Sequence, residues 1–198
     1  MPPSRLGGHQ LQLACARPRV RFEGPWKVYI MGGNGMKSVI SWDAANVAGA
    51  GAWDAADVPD LDEDRTNAAA AWLRGRLYLT GGLSTRKQVL CWDPAAKPAA
   101  GWQPVADLIT GRYQHAAIVL RGALYVLGGY GGGVRLASVE RYDPDQDTWE
   151  AVTPMSMARC DFTAAVLDGR IIAVGGYDAG YNDLRSCERY DQDTDKWE

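Results

Sequence analysis

Four Gly-Gly doublets, Gly32-Gly33, Gly81-Gly82, Gly128-Gly129 and Gly175-Gly176, recur every 47 to 49 residues along a chain of 198. Each is followed by an aromatic residue and an aspartate: Trp42-Asp43, Trp92-Asp93, Tyr142-Asp143 and Tyr190-Asp191. A tryptophan then stands 20, 20, 20 and 21 residues after the second glycine, at Trp53, Trp102, Trp149 and Trp197. The last three doublets are also preceded by an arginine (Arg65, Arg112, Arg159) and, ten residues after it, a glycine (Gly75, Gly122, Gly169). Self-similarity at this period requires an array or a propeller, with one four-stranded unit per repeat.

The pattern resembles the Kelch repeat, one blade of a Kelch β-propeller, over roughly residues 25 to 198. The resemblance implies an all-β chain of about four blades of four antiparallel strands. An irregular leader of residues 1–24 would be followed by blades over about 25–58, 65–107, 112–154 and 159–198. The first strand of each blade is expected at 67–73, 114–120 and 161–167, rich in alanine because inner strands crowd around an axis. Second strands at 77–80, 124–127 and 171–174 are apolar on both faces, as sheets covered on both sides require. The doublet ends that strand, glycine tolerating φ > 0 and close backbone approach. The aspartate ending the third strand can accept N–H groups of the following turn. Each tryptophan is expected to open the fourth strand and wedge between blades, burying ~150–250 Å². Cys187 takes the slot of Val39, Val89 and Val139, and so reads as a small buried hydrophobe.

The first repeat departs from the pattern, with Ala16 in the arginine position and Trp26 in that of the single glycine. Residues 19–23 could serve as its first strand. The last repeat stops at Trp197-Glu198, and only residues 10–14 offer a strand to complete it. A partial, open ring is therefore expected. Its two end blades would each show an uncovered apolar face, a drive to self-association.

A net charge of −3 and a pI near 5.4 provide no basic field for nucleic acid. No apolar run reaches the ~20 residues of a membrane span. The first 22 residues carry four arginines and no acid but no secretory apolar core. Cys15, Cys91, Cys160 and Cys187 show no CxxC spacing, and nothing demands an oxidising compartment. A cytoplasmic location is expected, with the nucleus as an alternative.

Propellers bind through loops at the ends of their axis. The loops after the doublets, 34–37, 83–87, 130–135 and 177–183, should share one face with the entries to the first strands. That face would offer Arg65, Arg112, Arg159, Tyr113, Arg86, Tyr130, Arg135, Tyr177 and Asn182 to a protein partner, an acidic peptide segment fitting the guanidinium forks. Alternatively, the three repeated arginines bond backbone carbonyls and tie blades together. The blades are most similar to those of BTB–Kelch adaptors, which hold substrates for cullin-RING ubiquitin ligases, though 198 residues leave no room for a BTB domain. A carbohydrate-active or oxidase enzyme of Kelch type is the contrasting reading. Galactose-oxidase-like copper sites need paired His and Tyr ligands, and here only His9 and His115 are available. His115 aligns with Ala68 and Phe162, a packed strand position. The acidic run Asp54, Asp57, Asp60, Asp62, Glu63, Asp64 lacks the glycine and terminal glutamate of an EF-hand and reads as a solvated loop. No catalytic set, metal site or cofactor is expected.

Overall fold

The computed structural model describes residues 59–96 and 101–198 in full and the backbone of residues 27–33 and 36–43. Trp53, Cys15, His9, the leader and the two candidate completing segments lie outside the described residues. Those described contain strands and turns and no helix.

Strands β1 (Lys27–Gly33) and β2 (Met36–Asp43) form an antiparallel hairpin. A four-stranded sheet follows, with β3 (Ala69–Leu73), β4 (Arg76–Thr80), β5 (Val89–Trp92) and β6 (Gln103–Val105) in sequential order. After β7 (Ala116–Leu120) and β8 (Ala123–Leu127), the next repeat inserts a small ribbon of β9 (Tyr130–Gly131) and β10 (Val134–Arg135). It then completes its sheet with β11 (Val139–Asp143) and β12 (Thr148–Val152). The last sheet holds β13 (Thr163–Leu167), β14 (Arg170–Val174), β15 (Cys187–Asp191) and β16 (Lys196–Trp197). The ribbon β9–β10 went unread in the sequence, where this stretch is a glycine-rich loop.

Local chemistry explains each turn. The first hairpins have two-residue loops, Arg74-Gly75, Arg121-Gly122 and Asp168-Gly169, every residue of which has positive φ. This is the type I′ geometry that matches strand twist, and the single glycine of each repeat makes it accessible. At the third turn, Asp93, Asp143 and Asp191 accept from the N–H groups of Ala95 (2.8 Å), Asp145 (2.8 Å) and Asp193 (2.9 Å), as the aspartate position leads one to expect.

Inner strand β3 lies beside β7, and β7 beside β13, so three sheets fan from a shared edge. The first strands begin two residues later than the sequence suggests. Asn67, Gln114 and Asp161 adopt φ of 59°, 55° and 50°, which ends strand geometry there. Their backbone instead forms a ladder across the sheets: Gln114 N–H donates to Asn67 O (2.9 Å) and Asp161 N–H to Gln114 O (3.0 Å).

Apolar side chains fill the spaces between sheets. Leu73, Tyr78 and Val89 meet Leu124, Val126 and Tyr142 in one layer, while Leu120, Tyr125 and Val139 meet Phe162, Ile171 and Tyr190 in the next. The tryptophans wedge with a defined hydrogen bond. Their indole N–H groups donate to carbonyls on the chain leaving the preceding repeat: Trp102 to Pro59, Trp149 to Ala106 and Trp197 to Thr153, each at 2.9 Å. Aspartates beside two of these rings close the same joint. Asp147 accepts from Tyr142 OH (2.7 Å) and Ala106 N–H (2.9 Å), and Asp195 repeats this with Tyr190 OH (2.8 Å) and Thr153 N–H (3.1 Å).

The two glycines of a doublet serve different neighbours. A Cβ on Gly128 would stand 2.6 Å from the Arg159 carbonyl of the next sheet, and one on Gly129 2.6 Å from Tyr113 O of its own entry segment. In the last sheet β14 is no longer buried on both faces: Ile171 and Ala173 are covered while Val174 is 45% exposed. For the same reason Cys187 is exposed, correcting the expectation of a buried hydrophobe. Among the described residues nothing packs on that face.

Candidate interaction face

The loops that follow the doublets gather at one end of the fan. The turn 83–87, the ribbon β9–β10 and the loop 177–183 bring a row of alternating cations and rings together. Arg86 lies 5.6 Å from the Tyr113 ring, Tyr113 and Tyr130 stand 5.4 Å apart, and Arg135 lies 6.0 Å from Tyr130 and 3.9 Å from Tyr181. Backbone pairing holds the row in place. Tyr113 and Tyr130 exchange N–H···O bonds of 3.1 and 2.8 Å, and Cys160 and Tyr177 do the same at 3.2 and 2.9 Å. Arg135 also donates from Nε to the Cys160 sulfur at 3.2 Å. Tyr177 and Tyr181 are 41% and 75% exposed, so the aromatic row is open to a partner.

Asn182 belongs to the loop's own scaffold. Its backbone N–H and side-chain amide both bond Asp178, which also accepts from Gly180 N–H. These Asn182 bonds hold the Asp178 carboxyl below the usual carboxylate range.

Arg65, Arg112 and Arg159 do not stand on this face as a ring of ligand-gripping guanidiniums. They are buried, with Arg112 and Arg159 wholly out of water. Arg112 donates to Gly128 O (2.8 Å), Ser138 O (3.0 Å) and the Glu140 carboxylate, all within its own repeat. Arg159 repeats the set with Gly175 O (2.9 Å) and Glu188 (2.7 Å). The glutamates pass the tie onward: Glu140 accepts from Ile109 and Thr110 N–H at 2.8 and 2.9 Å, and Glu188 from Ser156 and Met157 N–H at 2.5 and 3.2 Å. Burial raises the Glu188 pKa, yet the Arg159 and Ser156 hydrogen bonds outweigh it and hold the carboxyl below its ordinary range. Arg65 has Leu90 at the glutamate position and bonds the side chains of Gln88 and Thr85 instead. The arginines therefore organise the entry loops, which corrects their assignment as contact residues.

His115 is fully buried, its Nε2 2.8 Å from Thr80 Oγ1, and burial followed by the nearby Arg112 charge lowers its pKa to about 3. Asp64, from the acidic run, bonds Thr66 N–H and Oγ1 at 3.0 and 2.8 Å and so ends the loop into its repeat. Among the described residues no three His, Cys, Asp or Glu side chains cluster as a metal site would require. Nor is any helix long and apolar enough to cross a membrane.

Sequence reasoning missed Tyr181, Glu140, Glu188, Asp147 and Asp195. The last four had a signal, since Glu-Arg-Tyr-Asp and a later Asp before Trp occur in both of the last repeats. Tyr181 had none, because loops differ from repeat to repeat.

Fanned four-stranded sheets joined through their inner strands, with loops collected at one end, define a β-propeller type of protein. The Kelch motif model matches residues 111–156 and 158–198, the last two repeats of the chain. A solved structure described as that of YjhT has the same fold, with a TM-score of 0.67 and 18% sequence identity. The match covers 72% of this chain and 52% of that one, so the present chain spans about half its neighbour's length. No curated protein matches the sequence.

Proposed function

We propose that the chain is a non-catalytic interaction module that holds an acidic, aromatic-bearing peptide segment of a partner protein across the loop face. One contrast carries this reading. Arg74, Arg76, Arg112, Arg121, Arg141, Arg159, Arg170 and Arg189 each pair with a carboxylate. Arg86 and Arg135, the cations of the aromatic row, form no direct ion pair among the described residues, though the Arg135 charge reaches Asp161 and Asp178 and Arg65 and Arg185 are likewise without one. A partner's carboxylates would complete these forks, and its apolar side chains would pack on Tyr177 and Tyr181. Within this reading, the resemblance to BTB–Kelch blades supports a substrate-holding role in a ubiquitin ligase assembled with other chains. His115, the side chain an oxidase or carbohydrate-active reading would need, is wholly buried at the residue before β7.

Selection of binders from a displayed random peptide library tests the proposal. Selected peptides should be rich in Asp and Glu, and Arg135→Ala, Arg86→Ala and Tyr181→Ala should each weaken them by about tenfold, the scale of a desolvated cation–π or charged contact. Arg141→Ala, away from the row, should leave binding intact. Peptides indifferent to all three loop variants would rule the face out.

A further inference from the structure

Asn67, Gln114 and Asp161 stand two residues before the inner strands β3, β7 and β13, at the end of the fan that carries the loop face. Their positive φ serves the backbone ladder that crosses the sheets, so their main chains are accounted for. The Asp161 side chain is a separate matter. Gln114 Nε2 donates to Asp161 Oδ2 at 2.6 Å, and among the described residues no cation pairs directly with this carboxylate. Asp161 is half-buried, and burial pushes its carboxyl above the usual range against the opposing Arg135 charge.

Arg135 is turned elsewhere. Its Nε donates to the sulfur of Cys160, the residue before Asp161, at 3.2 Å. Its guanidinium lies 3.9 Å from the centre of the Tyr181 ring, with Nη1 3.5 Å from Ala179 O. A cation held on the rings and an anion at the inner strands are thus neighbours, neither neutralised by a direct pair. This arrangement does not depend on what lies beyond β13. A further sheet there would meet Asp161 through its main-chain carbonyl, as Gln114 N–H meets Asn67 O and Asp161 N–H meets Gln114 O. The carboxylate instead bonds the sheet before it.

Taking the loop face as the binding face, we propose that Asp161 selects a Lys or Arg side chain in the partner's segment. The segment held is then one of mixed charge, with acidic residues for Arg86 and Arg135 and a basic residue for Asp161. A carboxylate half out of water with a single neutral donor gains from a charged one, whose hydrogen bond is shorter and stronger. The same carboxylate repels a segment that is acidic throughout, so Asp161 adds discrimination that the arginines alone lack. Gln114 acts through its amide, which fixes the carboxylate in place.

The test uses the full chain and peptides selected on it from a displayed random library. Aligned binders should carry Lys or Arg at one constant offset from their Asp and Glu residues. Replacing that base by norleucine should weaken binding to the unaltered chain about tenfold, the worth of a hydrogen bond to a charged group, and should cost less than about threefold on Asp161→Asn. Asparagine tolerates the left-handed backbone and still accepts from Gln114, and near-ultraviolet circular dichroism should stay native. Acidic binders without a positioned base overturn the proposal and leave the acidic reading of the row standing. So does a base whose replacement costs the same on both chains, the result expected if Asp161 merely screens Arg135. Basic binders lost on Asp161→Asn but indifferent to Arg86→Ala and Arg135→Ala would strike the acidic reading and sustain the role of Asp161.

Discussion

Arg159 Nη2 meets Glu188 Oε1 at 2.7 Å, with both side chains shut away from bulk water and the glutamate also accepting from two entry-loop N–H groups. The same pair, Arg112 with Glu140, sits one repeat earlier. A charge so placed is costly to orphan. Glu140→Ala or Glu188→Ala should destabilise the chain by about 3–5 kcal/mol in chemical denaturation, the usual loss when one member of a buried pair is removed. A cost under about 1 kcal/mol would contradict the tie.

Acid should act on the same joint. With its folded pKa held below its unfolded value, Glu188 contributes stability that is fully present above the unfolded pKa and lost as pH falls through the folded one. Glu188→Gln should therefore flatten the acid limb of a stability–pH profile, measured by urea midpoints. An unchanged limb would show that other carboxylates govern it.

His115 works in the same direction over a higher window. Its folded pKa near 3 lies below the ordinary 6.5, so the unfolded chain binds the extra proton between these values. Stability should be complete above about pH 6.5 and fall by up to about 1.4 kcal/mol per pH unit below it. His115→Asn should remove that slope, and an imidazole titrating near 6.5 by NMR would contradict the burial.

The tryptophan joint separates a hydrogen bond from a hydrophobic wedge. Trp149→Phe removes the bond to Ala106 O and should cost about 1 kcal/mol beyond the change in size. Trp149→Ala should cost about 3–5 kcal/mol, as truncating a packed aromatic does. Asp147→Ala leaves the Tyr142 hydroxyl and Ala106 N–H without their acceptor and should cost about 1–3 kcal/mol. In thermal melts Trp149→Ala should lose the most, with Trp149→Phe and Asp147→Ala losing less.

The doublet predicts an asymmetry between repeats. Gly128→Ala must move the Arg159 carbonyl as well as hold a strained φ of 57°, whereas Gly175→Ala meets only the φ term. The first should cost several kcal/mol and the second about 1–2 kcal/mol in an isolated chain. Equal costs would mean that φ alone explains these glycines.

Periodic spacing was enough to read the repeats, their four strands, the aspartate turns after the third strands and the wedging of the tryptophans. Those features arise from residues close in sequence, or from contacts repeated at one offset, so the pattern itself records them. Whether Arg112 and Arg159 point to a ligand or into their own blade was not legible, because either direction satisfies a recurring arginine. Only the packed structure, with Glu140 and Glu188 opposite, decides it. The exposure of Cys187 and Leu167 was hidden for a related reason. Their sequence positions equal those of Val139 and Leu120, and the difference lies in whether a neighbouring sheet is present. The row of Arg86, Tyr113, Tyr130, Arg135 and Tyr181 likewise draws single residues from loops of unlike sequence, and the fan of sheets alone brings them within reach of one another.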